Sequence, residues 1–146
     1  MDRRKTLTEL ERSDWGPPTY DSHLVTTCHA LRHKPIGDLS TEELRILIGQ
    51  KIGLAFLVPI VVETLTRDPL ADGAYYRGDL LKVFLALGAT YWSANRGPRD
   101  AAREIISSAR ARLTQRQDDD PISPIEEQAA VEAFAMFTSD TAALDP

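Results

Sequence analysis

The most apolar stretch of this 146-residue chain is LRILIGQKIGLAFLVPIVVETL, at positions 44–65. Its longest run without a charged residue lies between Lys51 and Glu63 and contains 11 residues, whereas a membrane-spanning helix needs about 20. Pro59 disfavours a central β-strand, because proline cannot donate a hydrogen bond to a sheet. The stretch therefore predicts two consecutive helices, the second of them central, buried and kinked at Pro59.

Capping and turn residues divide the rest of the chain into further helices. Ser40 and Glu43 have the spacing of a capping box, in which each side chain accepts a hydrogen bond from the other residue's backbone. Asp79 is predicted to be the N-cap of a later helix. Besides the two helices within 40–66, the predicted helical ranges are 22–32, 80–87, 89–95, 98–117 and 125–137.

Apolar residues recur at spacings of three and four within these ranges, which places one face of each helix in a core. The predicted core positions in the first and last ranges are Leu24, Cys28, Leu31, Val131, Phe134 and Phe137. No repeat and no convincing pair of strands is found. The sequence predicts an all-α fold, a single compact bundle of about five to seven helices. We expect an N-terminal arm at 1–19 and one domain at 20–146.

Charge and cysteine content favour an ordinary intracellular protein. The net charge is −5, and Cys28 is the single cysteine, so no intramolecular disulfide is possible. The first ten residues, MDRRKTLTEL, have no apolar segment typical of a signal peptide. We expect a cytoplasmic protein without a membrane span.

Neither a metal site nor an enzyme is predicted. His29 and His33 lie one helical turn apart, but His23 falls on another side of the helix and Cys28 belongs to the apolar face. Surface histidines beside a buried cysteine are the favoured interpretation. The acidic pairs 42–43 and 126–127 lie in first helical turns, where the helix dipole alone explains them. No catalytic motif is present, and no cofactor is expected.

Two segments have compositions that suit binding partners. The sequence AYYRGD contains Tyr75, Tyr76 and Arg77, residue types that are enriched in protein interfaces, although two tyrosines can equally form a lid over the core. The segment 99–116 has five arginines and two acids, whereas residues 118–146 have eight acids and no Lys or Arg. Arginines of this kind contact nucleic-acid phosphates, but the acidic total disfavours nucleic acid as the partner.

Two long stretches together resemble immunity proteins of bacterial contact-dependent growth inhibition systems. They are LTELERSDWGPPTYDSHLVTTCHALRHKPIGDLSTEELRILIGQKIGLAFLVPIVVETLTRDPL and YYRGDLLKVFLALGATYW, and the resemblance covers residues 6–92. In the tyrosine–glycine–aspartate loop this chain has Arg77 where the family leads us to expect proline. The resemblance implies a non-enzymatic protein that binds a cognate toxin domain, often a nuclease, and blocks its active site.

This resemblance leads to a hypothesis about the residues that bind the toxin. An acidic inhibitor is steered towards the cationic surface of a toxin that acts on phosphates. Tyr75, Tyr76 and Arg77 would be the anchoring contacts. The acidic charge would come from Asp72, Asp79, Asp118, Asp119, Asp120, Glu126 and Glu127. The alternative is a helical adaptor or regulatory module that binds another protein or, through its 99–116 helix, nucleic acid; the sequence does not indicate the oligomeric state.

Overall fold

The computed structural model describes residues 2–18, 22–115 and 121–144. Within these ranges the chain is a bundle of eight α-helices without a β-strand, so the all-α prediction is confirmed. The helices are α1 (Leu7–Glu11), α2 (His23–Leu31), α3 (Thr41–Gly49), α4 (Leu54–Arg67), α5 (Asp79–Leu85), α6 (Ala89–Ala94), α7 (Arg96–Thr114) and α8 (Pro124–Thr141). All but α1 correspond to predicted helices.

Helix α1 lies inside the segment that the sequence suggested was an arm. It begins with a capping box: the Glu9 N–H donates to Thr6 Oγ1 (3.2 Å), and the Thr6 N–H donates to Glu9 Oε1 (3.0 Å). Leu7 is fully buried and packs against Gly53, whose positive φ of 64° and missing Cβ permit the contact. The beginning of the chain is thus part of the core.

The apolar stretch at 44–65 forms α3 and α4, as predicted. The Ser40–Glu43 capping box of α3 is present. Helix α4 continues through Pro59, which lies on its exposed side, where water can solvate the carbonyl that loses its partner. The opposite side of α4 is buried in the bundle, where the helix packs against α3 and α7. In the described part of the chain, no helix is long and apolar enough to span a membrane.

Trp92 lies where α5, α6 and α8 meet. Its fully buried indole makes edge-to-face contacts with Phe84 of α5, Tyr91 of α6 and Phe137 of α8, at centroid distances of 5.3, 5.1 and 5.0 Å. Helix α5 packs in turn against α3 on one side and α8 on the other. The last helix is therefore held to the rest of the chain by aromatic packing.

Two predicted core positions are wrong. Leu24 is exposed because it lies in the first turn of α2, at the rim of a surface cavity. Val131 is exposed because α8 turns Ala130, Ala133 and Phe134 inward, and one residue's rotation about the helix places Val131 on the flank of that face. The buried stripe of α8 is built partly from alanines, which a search for large apolar residues overlooks.

Candidate functional site

Residues 72–78, here called the tyrosine loop, connect α4 to α5 and are held by side chains from two helices. Three consecutive backbone N–H groups donate to carboxylates: Gly73 to Asp79 Oδ1 (2.6 Å), Ala74 to Glu42 Oε1 (2.9 Å) and Tyr75 to Asp79 Oδ2 (3.1 Å). A Cβ on Gly73 would lie 2.5 Å from Glu42 Oε1, so any larger residue there would displace the Glu42 carboxylate. The loop is consequently fixed to α3 and α5.

Asp79 does not cap α5, contrary to the prediction. The N-cap is Gly78, with a positive φ of 93°, and Asp79 is the first helical residue. Its side chain turns back to accept the loop's N–H groups and is only 3% exposed. The left-handed backbone at Gly78 makes this reversal possible, because it redirects the chain immediately before the helix.

Arg45 completes a charge cluster beneath the tyrosine loop. Its guanidinium donates to both Glu42 oxygens, from Nε to Oε1 at 2.5 Å and from Nη2 to Oε2 at 2.6 Å, and its Nε lies 3.9 Å from Asp79 Oδ2. The hydrogen bonds from Arg45 lower the pKa of Glu42. Burial opposes this effect, and the hydrogen bond from the Ala74 N–H lowers the pKa further. The same guanidinium lies 4.6 Å from the centre of the Tyr75 ring.

Tyr75 projects from this supported loop into solvent. It is 73% exposed, whereas Tyr76 is half-buried. Asp72 is exposed at the start of the loop, where its backbone forms an isolated bridge with that of Arg77. The loop therefore exposes the side chains of Tyr75 and Asp72, while three of its backbone N–H groups are hydrogen-bonded to Glu42 and Asp79.

Arg77 connects the tyrosine loop to the beginning of α8. Its backbone N–H donates to Glu126 Oε2 (2.9 Å), and its guanidinium donates to both oxygens of that carboxylate, from Nε at 3.4 Å and Nη2 at 3.3 Å. Nη2 also donates to the carbonyl of Pro121. Glu126 and Ser123 form the capping box of α8, so one carboxylate serves both the helix start and the loop.

These bonds change the ionisation of Glu126. Burial alone raises its pKa, but hydrogen bonds from the Ser123 and Arg77 backbones and from their side chains outweigh burial and lower the pKa to about 2, from an ordinary value of 4.5. Glu126 is therefore an ionised carboxylate whose hydrogen bonds stabilise the start of α8 and the tyrosine loop.

We expect the Glu126 contacts to make stability depend on acid pH. Because the folded pKa lies below the unfolded one, the contribution is complete above pH 4.5 and is lost as the pH falls towards 2. Its full size is about 3 kcal/mol. Urea unfolding of the wild type and Glu126→Gln should give a stability difference that shrinks from pH 7 to pH 3. Glu127→Gln, which removes an exposed charge from the same turn, is the control; an equal trend there would contradict this assignment.

The structure brings together most of the residues that the sequence proposed for partner binding. The tyrosine loop lies against the first turn of α8, where Glu127 is exposed. Asp118, Asp119 and Asp120 lie outside the described residues. Glu42 and Arg45 are not predicted as part of this site. A first helical turn already explains Glu42, and no local pattern shows that it reaches a loop 32 residues away.

The other candidates of the sequence have ordinary structural roles. His29 packs edge-to-face against Trp15, and its Nδ1 lies 3.1 Å from the Gly16 carbonyl. Among the described residues, no three His, Cys, Asp or Glu side chains are grouped so as to hold a metal ion. In the arginine-rich α7, Arg99 is buried and Arg110 lies 5.2 Å from the centre of the Phe134 ring. These two arginines contribute to packing.

Comparison with known proteins identifies the family. The family of CDI immunity proteins matches residues 9–102, well over half of the chain, and the match includes α2 to α6 with the whole tyrosine loop. No curated protein and no solved structure matches the chain. The resemblance inferred from the sequence over residues 6–92 is thus confirmed. The chain belongs to the CDI immunity proteins, the family that serves contact-dependent growth inhibition systems.

Proposed function

We propose that this protein neutralises a cognate toxin domain by binding to it directly and covering its active site, in the cytoplasm and without catalysis of its own. Family membership supports the immunity role. The tyrosine loop is proposed as the main contact surface. The observation that carries this assignment is Tyr75, a tyrosine that is 73% exposed on a loop whose backbone is bonded internally.

A supported loop is an efficient binding element. Ordering a flexible segment on binding costs free energy, and a loop that is already ordered avoids most of that cost. Tyrosine is among the residues that most often dominate binding energy, because its ring buries a large area and its hydroxyl can form a hydrogen bond. The cluster of Glu42, Arg45 and Asp79 would thus act indirectly, by keeping Tyr75 in its binding conformation.

The charge distribution favours a toxin with a cationic surface, such as a nuclease. Asp72 and Glu127 are exposed beside the loop, and residues 118–146 contain eight acids without Lys or Arg. A site that binds nucleic-acid phosphates is cationic, so an acidic inhibitor associates with it faster and more selectively. Asp79 and Glu126 already form internal hydrogen bonds, so we assign them positioning roles.

The test is co-expression with a toxin domain of a contact-dependent growth inhibition system, beginning with any such domain encoded next to this chain. Wild-type protein should protect the cells, and Tyr75→Ala should weaken binding of an inactive toxin variant by about 30-fold or more, the effect of losing an interface hot spot. Met136→Ala, an exposed apolar residue of α8, is the matched control. Full protection and unchanged affinity with Tyr75→Ala would remove the tyrosine loop from the interface, whereas absence of any binding by the wild type would overturn the proposed function.

A further inference from the structure

The two most exposed large apolar side chains of the described residues each lie within two positions, along the chain, of one member of a single ion pair. Tyr75, 73% exposed, precedes Arg77 by two residues. Ile125, 79% exposed, immediately precedes Glu126. These positions are 50 residues apart in the chain, and the bonds from Arg77 to the Glu126 carboxylate join the two segments that carry them. Clustered exposed apolar residues mark interaction surfaces, so two such residues on segments that are bonded to each other are candidates for one surface.

The backbone at Ile125, like that at Tyr75, is held in place by neighbouring residues. It is the second residue of α8, after Pro124, whose ring fixes φ at a helical value. The Ser123–Glu126 capping box closes the same turn, and Arg77 holds the preceding Pro121 carbonyl. Ile125 contributes little to the stability of the core, because most of its surface remains in water.

We propose that Ile125 is a second anchor for the toxin domain, and that Tyr75, Ile125 and the Arg77–Glu126 pair between them form one contact surface. The inference rests on the proposed function and extends it to α8, which lies beyond the residues matched to the family. Arg77 and Glu126 are positioning residues: their bonds to one another set the place of Ile125 relative to Tyr75.

The charges around the two anchors define the chemistry of the partner. The carboxylate of Glu126 compensates the guanidinium of Arg77. The nearby exposed acids are Asp72 and Glu127, and the described segment 121–144 contains four acids and no Lys or Arg. Charge complementarity therefore specifies a protein surface that offers an apolar contact bordered by Lys or Arg side chains.

The experiment measures binding of variants of the 146-residue chain to an inactive form of the toxin domain used in the co-expression test. Ile125→Ala should weaken binding about tenfold, as a contact worth more than 1 kcal/mol does. The matched control is Met136→Ala, about three turns further along the same helix. Both variants should retain wild-type thermal stability, since both side chains are largely exposed.

A double-mutant cycle tests the positioning role. Arg77→Ala should also weaken binding, and adding Ile125→Ala should cost clearly less in the Arg77→Ala background than in the wild type, because the displaced isoleucine no longer reaches its contact. If Arg77→Ala acted only by lowering the stability of the whole protein, the losses of binding free energy caused by the two substitutions would be additive. Glu127→Gln should slow association at low salt and have little effect at high salt.

The outcomes separate this inference from the proposed function. If the wild type does not bind the toxin domain, the proposed function fails and the second anchor fails with it. If the wild type binds and Tyr75→Ala weakens binding, but Ile125→Ala matches Met136→Ala, the inference alone is overturned. Additive effects of Arg77→Ala and Ile125→Ala would overturn the positioning role.

Discussion

Replacing Asp79 with alanine is expected to lower the free energy of unfolding by about 3 to 4 kcal/mol, because the substitution leaves buried donors without acceptors. The Gly73 and Tyr75 N–H groups both lose their acceptor, the carboxylate of a residue that is only 3% exposed. Arg45 keeps Glu42 but loses its second carboxylate. The tyrosine loop should then detach from α5, and binding of the toxin domain should weaken although Tyr75 itself is intact.

Urea unfolding measures the loss of stability, and amide hydrogen exchange measures the release of the loop. Exchange at Gly73 and Tyr75 should accelerate in Asp79→Ala more than exchange in the core of α4. Asp72→Ala is the matched control, since it removes an exposed carboxylate from the same loop and should change stability by less than about 0.5 kcal/mol. Equal exchange rates at Gly73 in the wild type and Asp79→Ala would show that Asp79 does not hold the loop.

Replacing Trp92 with alanine is expected to cost about 3 to 5 kcal/mol, the range for removing a large buried aromatic side chain. The indole fills the space between Phe84, Tyr91 and Phe137, so its loss leaves a cavity where α5, α6 and α8 meet. Because α8 would loosen, the contacts of Glu126 with the tyrosine loop should weaken too. Thermal unfolding with circular dichroism and hydrogen exchange along α8 would show both effects.

The indole nitrogen supplies a sharper version of this test. Among the described residues, Trp92 Nε1 has no hydrogen-bond acceptor. Trp92→Phe therefore sacrifices packing but no hydrogen bond, and it should cost clearly less than Trp92→Ala. Trp15→Ala should cost less than Trp92→Ala, because Trp15 is 44% exposed, although its ring contacts His29 and Arg32. A cost for Trp92→Phe as large as that for alanine would contradict this account of the indole.

The fold was predictable to the extent that its signals are local. The Ser40–Glu43 capping box and the proline- and glycine-rich turns lie within a few residues of the helix ends that they define. The same local rule covers Thr6 and Glu9, yet the sequence does not predict α1, because the surrounding residues are polar and Leu7 alone is deeply buried. Ala130 and Ala133 leave only a weak periodic signal because their side chains are small.

The site was only partly predictable because its contacts are long-range. Composition was enough to select Tyr75 and the acids as candidates. Nothing local distinguishes Asp72, which is exposed, from Asp79, which is buried, although they lie in one loop region. The bond between Arg77 and Glu126 spans 49 residues and depends on how α8 packs against α5. Such pairings follow from tertiary packing, which sequence spacing does not determine.

The three bonded amides at 73–75 also have a consequence for ligand selectivity. Successive N–H groups that converge on one side of a loop form a receptor for anions, and phosphate is a common occupant of such receptors in other proteins. Here the carboxylates of Glu42 and Asp79 occupy that position permanently. If the proposed partner is a nuclease, as its expected cationic surface suggests, this arrangement would keep the loop from competing for the toxin's substrate.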